Sequence, residues 1–437
     1  MDDGLPGRMR TDDDLDGIRP GRALAIRSEV FGPMPATSWL TPARQRYAWI
    51  VGAALWGGWL ASLLLGRDGL DRAGQVIGTD YLQFYAAGWM LRHGLAARLY
   101  DPEAQLAAER AVFGPHLPTY HAFLNPPFFA LLFVPFSLLP YTLSFALWSL
   151  LQLGLLALGI WALRPQAGAR WFGWALTFLP VFASVSFGQN GLLSLALLAL
   201  AWRLWAAGRP GAAGGIAGLL LYKPHLLIGP ALIWLLEGPR GWRALGGLST
   251  TAALLALLSA LALPETTAAY GAFAWTVYPD LPAWKDFPLW HLHTLRGFWR
   301  LLLPGAPRLA DLLTLLLAPL GVAFGAALRR VPRGSPSLRL ALGIPLTFWL
   351  APHAMIYDLS LLLIPAVRLW EEIPEGRPIW RSLFAGMWTA ALLSGPLAVG
   401  MGHTLGWALQ ISIPVLAGAM ARVGWALARH LENRGGP

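Results

Sequence analysis

Apolar runs close to 20 residues alternate with short polar breaks along most of this chain. The hydrocarbon core of a bilayer is about 30 Å thick, which about 20 apolar helical residues span. The clear runs are 47–66, 141–163, 171–187, 190–207, 243–263, 309–328, 382–400 and 404–421. Shorter or broken candidates are 125–139, 212–237 (interrupted at Lys223-Pro224), 340–352 and 354–370. The pattern predicts an all-α polytopic membrane protein with about 11 to 13 crossings. Residues 1–40 lack the pattern, being acidic near the start and rich in Gly and Pro. They are expected to form a disordered cytoplasmic tail ahead of a single membrane domain over 41–430. The first apolar run starts only near Tyr47, too late for a signal peptide.

Composition agrees with the periodicity. The chain is 56% hydrophobic and 13% charged, against about 45–50% and about 25% in soluble domains. Cysteine is absent, which excludes a disulfide scaffold and a thiolate metal site. The net charge of +10 does not indicate a nucleic-acid partner, because the arginines stand singly or in pairs between apolar runs.

The arginines instead give the orientation through the positive-inside rule. Arg44 and Arg46 place the N-terminus in the cytoplasm. Arg240 and Arg243, then Arg329, Arg330, Arg333 and Arg339, then Arg368, Arg377 and Arg381, then Arg422 and Arg429 all fall on that same side. The loop 264–308, the turn at Pro352-His353 and the turn around His403 then face outward. Arg164, Arg170, Arg203 and Arg209 put Gln189-Asn190 outside as well. That needs an odd number of crossings between 125 and 163, met if 125–139 is re-entrant or interfacial.

Residues 67–124 form a long outward loop, and loops of this length are usually functional or disordered. Its helix punctuation argues against disorder. Thr79 is placed to cap a helix from Asp80 to His93 that stops at Gly94, with Tyr81, Phe84, Tyr85, Gly88 and Leu91 on one face. Asp101 caps a second helix with Pro102 at its first position and Gly114 after its end. Asp80 sits in a first turn, where the helix dipole favours a carboxylate, so its plain role is to support that helix start.

Charges inside membrane spans are costly and mark function. Lys223, one of two lysines, lies in the apolar stretch GLLLYKPHLLIGP beside a helix-breaking proline. Broken helices at membrane depth face protein or a water-filled cavity. It reads either as a snorkelling side chain or as a cation aimed at a phosphate or carboxylate. In APHAMIYDLSLLLIP, His353 and Tyr357 share a helix face with Asp358 beside them, and that carboxylate calls for a cationic partner. The segment WKDFPLWHLHTLRGFWRLL adds Trp284, Trp290, His291, His293, Arg296 and Arg300. Its two arginines are exceptions to the positive-inside pattern. The two histidines lack an obvious third ligand, so no metal site is expected. Most of the aromatic residues suit an interfacial belt.

These segments resemble glycosyltransferase family 87, the polyprenol-phosphate-mannose-dependent mannosyltransferases and their relatives. GTDYLQFYAAGWMLRHGLAARLYDP is similar to the family's first outer loop. NPPFFALLFVPFSLLP, FGQNGLL, YKPHLL and APHAMIYDLSLLLIP follow in the family's order, covering roughly 75–370. The chain departs from the family at Asn125, where a tyrosine usually precedes the proline pair, and at His293-Thr294.

The resemblance implies a C-type glycosyltransferase bundle with a large first periplasmic loop carrying two interfacial helices. It implies a polyprenyl-phosphate-sugar donor and a lipid- or glycan-linked acceptor. It makes Asp80 the catalytic base of an inverting transfer, with no cofactor and no metal. Lys223, Arg296 and His353 become candidates for the donor phosphate. Tyr81, Tyr85, Gln189, Asn190, His291, His293, Tyr357 and Asp358 become candidates for substrate contacts. A secondary transporter is the alternative, since it too has broken helices and intramembrane charges, although no internal repeat is visible. The arginine, alanine and tryptophan bias points to a high-GC bacterium and its inner membrane.

Overall fold

The structure is a computed structural model that describes residues 42–276, 287–329, 336–372 and 377–432. The tail 1–40 and the candidates Trp284 and Lys285 lie outside the described residues. Among the described residues the fold is all-helical, with β pairing confined to isolated bridges.

Helix α1 (Pro42–Leu64) is apolar, and Tyr47, Ile50, Leu60 and Leu64 on it are exposed. The loop after it carries α2 (Tyr81–Arg92) and α3 (Pro102–Phe113). Helix α3 begins as the sequence predicts: the Asp101 carboxylate accepts from the N–H groups of Glu103 and Ala104, Pro102 fills the first position, and Gly114 follows the end. Helix α2 starts one residue later than expected, with Asp80 rather than Thr79 at the cap position. It is buried nearly all round, at Tyr81, Leu82, Phe84, Tyr85, Ala86, Ala87, Gly88 and Met90, so it packs into the bundle rather than lying on the interface. Its partners include α4 (Pro127–Phe133), which at seven residues spans only about 10 Å and cannot cross a bilayer. Between 125 and 163 that leaves α5 (Tyr141–Leu163) as the one helix long enough to cross.

Several expected crossings are broken in two. Residues 171–187 divide into α6 (Gly168–Leu176) and α7 (Leu179–Ser186), with Pro180 in the first turn of the second. After α8 (Gly191–Ala206), the stretch 212–237 becomes α9 (Pro210–Gly218), two 3₁₀ turns that meet at Lys223, and α10 (Ile228–Leu236). Then follow α11 (Pro239–Ala262), α12 (Pro264–Thr276), α13 (Leu295–Leu302) and α14 (Pro307–Leu328). The stretch 340–352 is met by α15 (Pro336–Gly343) and α16 (Pro345–Leu350). The stretch 354–370 is a 3₁₀ segment, Ile356–Leu362, running into α17 (Leu363–Glu372). Last come α18 (Arg377–Leu405) and α19 (Ser412–Glu432), and the turn between them lies at Gly406, just past His403.

Among the described residues five helices, α1, α5, α11, α14 and α18, are long and apolar enough to cross a membrane. On α11, Leu254, Leu257, Leu258 and Leu261 are exposed, and on α14 Leu312, Leu315, Leu316 and Leu320 are exposed. Continuous leucine faces of this kind mark a membrane surface in a well-packed protein, so the chain is a membrane protein. Helices α9 and α11 pack backbone to backbone, because a Cβ on Gly214 or Gly247 would collide with the main chain of Ala244 or Gly211. Thr251 seals that contact by donating to the Gly215 carbonyl at 2.9 Å.

Candidate active site

The backbone around Asp80 is held by a turn from elsewhere in the chain. Gly188 has φ +67°, and a Cβ there would lie 2.5 Å from the Tyr81 Cβ. Glycine thus lets the turn between α7 and α8 press against the start of α2. The Tyr81 N–H donates to the Phe187 carbonyl at 3.1 Å, and Trp148 Nε1 donates to the Gly188 carbonyl at 2.8 Å. This docking carries Gln189 to Asp80.

Asp80 occupies the cap position of α2, yet its side chain makes no capping hydrogen bond. Gln189 Nε2 donates to its Oδ2 at 2.8 Å, and His121 Nδ1 lies 3.6 Å from its Oδ1. The side chain is 29% exposed. Burial works against its ionisation, but the nearby His121 ring and the Gln189 hydrogen bond outweigh that and hold the carboxyl below the usual carboxylate range. The His291 ring lies 5.6 Å from that of Phe187, whose carbonyl accepts the Tyr81 N–H next to Asp80, and a Cβ on Gly191, two residues beyond Gln189, would lie 2.7 Å from the Tyr357 carbonyl oxygen.

The second half of the site is the break at Lys223. Its ammonium lies 2.8 Å from Asp358 Oδ1 and 4.4 Å from the centre of the Tyr357 ring. Both partners are buried, and Asp358 Oδ2 accepts the Met355 N–H at 2.9 Å. The carboxylate therefore has the cationic partner that the sequence called for. Behind Lys223, the Tyr222 carbonyl accepts from Asn125 Nδ2 at 3.0 Å and the Tyr222 hydroxyl pairs with Ser194 at 2.8 Å. The His225 and His353 rings lie 3.9 Å apart. A bridge between Leu292 and Met355 brings the segment around His291 to the His353 turn.

Other candidates are placed differently. The Tyr81 hydroxyl pairs with Ser144 at 2.5 Å in a fully buried position. The Tyr85 hydroxyl donates to the Leu139 carbonyl at 2.7 Å. His293 is 1% exposed and its Nδ1 is 2.7 Å from the Ser412 hydroxyl. These three hold helices together. Asn190 is fully buried beside Gln189, and neither of its amide atoms has a hydrogen-bond partner. Arg296 and Arg300 both bind Asp311, at 2.9 Å and 2.5 Å, which accounts for two arginines on the face otherwise poor in them. Among the described residues no group of three His, Asp or Glu side chains is placed to hold a metal ion.

Sequence reasoning missed His121, Glu109, His225 and Asp311. Glu109 on α3 is 1% exposed and accepts the His121 N–H at 3.2 Å, so it fixes the loop that carries His121. Burial pushes the Glu109 carboxyl up to about 8, against the opposing pull of that hydrogen bond. An unfolded Glu releases its proton near pH 4.3. Between about pH 4 and pH 8 the folded state therefore binds more protons, and stability falls as pH rises through that window. Glu109→Gln is expected to abolish this slope, melting with the wild type near pH 4 and more stably above pH 8, by on the order of 1–4 kcal/mol. Thermal melts in one detergent across that range check it, and parallel pH curves for the two proteins would refute it.

A sequence model of glycosyltransferase family 87 matches residues 123–352, just over half of the chain. The match takes in Gln189, Lys223, His291 and Arg296, while Asp80, His121 and His353 fall outside its bounds. No curated protein and no solved structure matches the chain.

Proposed function

The chain belongs to glycosyltransferase family 87, and from that premise we propose that it transfers a sugar, mannose or another hexose or pentose, from a polyprenyl-phosphate carrier to a lipid- or glycan-linked hydroxyl, with inversion. The Asp80 carboxylate carries this reading. It stands at a helix start without capping it, held by Gln189 and His121, and Gly191, two residues beyond Gln189, packs against the Tyr357 carbonyl. A carboxylate with no structural hydrogen bond to its own helix is free to accept a proton.

In the proposed step, Asp80 takes the proton of the acceptor hydroxyl as that oxygen attacks the anomeric carbon. The bond from that carbon to the phosphate oxygen breaks on the opposite face, and the phosphate leaves with the electron pair. His353, Arg296 and Lys223 are the groups proposed to meet the growing phosphate charge, so the reading includes no metal. Lys223 and Arg296 share their charge with Asp358 and Asp311, and the His353 ring lies 3.9 Å from that of His225. Gln189, His291 and Tyr357 are the proposed sugar contacts. Tyr81, Tyr85 and His293 act through packing, and Asp358 acts through Lys223.

The active face is proposed to be the periplasmic face of a bacterial inner membrane, with 11 to 13 crossings and a cytoplasmic N-terminus. Support comes from the charge rule: Arg164, Arg339 and Arg368, all ion-paired, stand on segments it places in the cytoplasm, while Asp80, His121 and His353 stand on segments it places outside. The test is transfer by the purified protein in nanodiscs from polyprenyl-phosphate-linked sugars, with nucleotide sugars in parallel. Release of polyprenyl phosphate and a product of inverted anomeric configuration are expected. Transfer from the nucleotide sugar alone, or a retained configuration, would overturn the reading.

A further inference from the structure

A cavity of about 830 Å³ lies apart from Asp80 and Lys223, between α1, α6, α17, α18 and α19. It falls within the about 300–1,000 Å³ of ligand sites. Its charged lining comes from element ends that share one side of the bundle. Arg164 follows the end of α5, Arg170 lies in the first turn of α6, Glu371 in the last turn of α17, and Arg381 near the start of α18. Three guanidinium groups thus face one carboxylate. Arg164 is bound to Glu371, and its Nε is buried without an acceptor. Among the described residues neither Arg170 nor Arg381 has an acidic partner, and Arg381 rests over the Trp370 ring at 5.4 Å.

Farther along α6 and α18 from those arginines, the walls turn apolar and aromatic, with Trp174, Phe178, Phe384 and Trp388. From Arg381 to Thr389, both lining residues, α18 advances about 12 Å, most of one leaflet. The cavity is therefore charged at the interface and dry toward the membrane interior. Unpaired positive charge at the rim and a deep apolar slot are the complement of an anionic amphiphile, and of neither a soluble anion nor a neutral lipid.

We propose that this cavity binds one anionic phospholipid of the arginine-rich leaflet, its phosphate between Arg170 and Arg381 and one acyl chain along the tryptophan wall. Basic pockets between transmembrane helices on the cytoplasmic side hold such headgroups. Bound lipid would tie α6, α17 and α18 together. The site owes nothing to the transfer reaction and stands whether or not that reading does.

Nanodiscs of equal phosphatidylglycerol and phosphatidylcholine, followed by mild detergent extraction and native mass spectrometry, test it. One phosphatidylglycerol is expected to stay with each wild-type chain. Arg170→Gln with Arg381→Gln should lower that retention by about 30-fold. In the wild type, a photoactivatable phosphatidylglycerol should cross-link within 168–178 and 377–389, a result that does not depend on how the variant folds. Equal retention of the two lipids, retention unchanged in the double variant, or cross-links confined to other segments would overturn the proposal. Selective retention of polyprenyl phosphate in its place would overturn it too, making the cavity a donor path.

Discussion

Asp80→Asn is expected to reduce transfer by about 10²–10⁴-fold, the usual contribution of a general base, with donor binding and thermal stability kept. Asparagine has the same shape, and its carbonyl oxygen can still accept from Gln189 Nε2, which reaches Asp80 at 2.8 Å. No cap is lost, because the Asp80 side chain makes no hydrogen bond to the first turn of α2. What disappears is the ability to take a proton. The ionised form is the working one, so wild-type kcat/KM should fall as pH drops through the Asp80 pKa, which His121 and Gln189 hold below the usual carboxylate range. Kinetics on the folded variant, with donor binding measured separately, decide the matter. Turnover near the wild-type rate would return Asp80 to a structural role.

The features readable from sequence are those set by neighbours in the chain. Asp101, Pro102 and Gly114 are a local grammar of helix ends, and α3 obeys it at both termini. Lys223-Pro224 announces its own break, and the structure puts Lys223 between two 3₁₀ turns there. Asp358 advertised a need for a cation, and Lys223 met it from 135 positions away. The sequence left open whether an arginine, a lysine or a histidine would supply it. His121 had no such signal. It sits in an irregular loop, and its approach to Asp80 depends on how Glu109 anchors that loop and how Gly188 admits the α7–α8 turn.

Burial and internal hydrogen bonds account for Tyr81, Tyr85 and His293. Tyr81, Tyr85 and His293 carry chemistry-bearing atoms, and a pattern of types cannot tell a hydroxyl bonded to Ser144 or Leu139 from one waiting for a sugar. Arg296 and Arg300 break the charge rule beside Asp311, eleven residues beyond Arg300, which binds both and offsets one of their two charges. That carboxylate stood alone near the start of an apolar helix, which was a usable sign. Breaks such as the one between α6 and α7 escape hydropathy altogether, since both halves are equally apolar.

Lys223→Met is expected to cost far more than a catalytic contact alone. It strips the partner from Asp358, whose side chain is 1% exposed, and leaves an uncompensated buried charge. Breaking one side of such a pair typically costs about 3–5 kcal/mol, so the single variant should melt well below the wild type or fail to accumulate. Replacing both ions removes the penalty. In Lys223→Met with Asp358→Asn, the asparagine oxygen can still accept the Met355 N–H that Asp358 now accepts at 2.9 Å. The double variant should therefore recover most of the lost stability through a coupling between contacting sites. Activity separates the two roles of the lysine. If Lys223 only neutralises Asp358, the double variant works as the wild type does. If its ammonium also meets the leaving phosphate, the refolded protein stays slow, with a raised donor KM and a lowered kcat, because that charge grows in the transition state. The expected result is the second: stability returns and transfer does not. Lys223→Arg should restore part of the rate, since a planar fork can pair with Asp358 but cannot present the compact charge of an ammonium over the Tyr357 ring. Full activity in the double variant would leave His353 and Arg296 to hold the phosphate and make the Lys223–Asp358 pair a clasp across the broken helix.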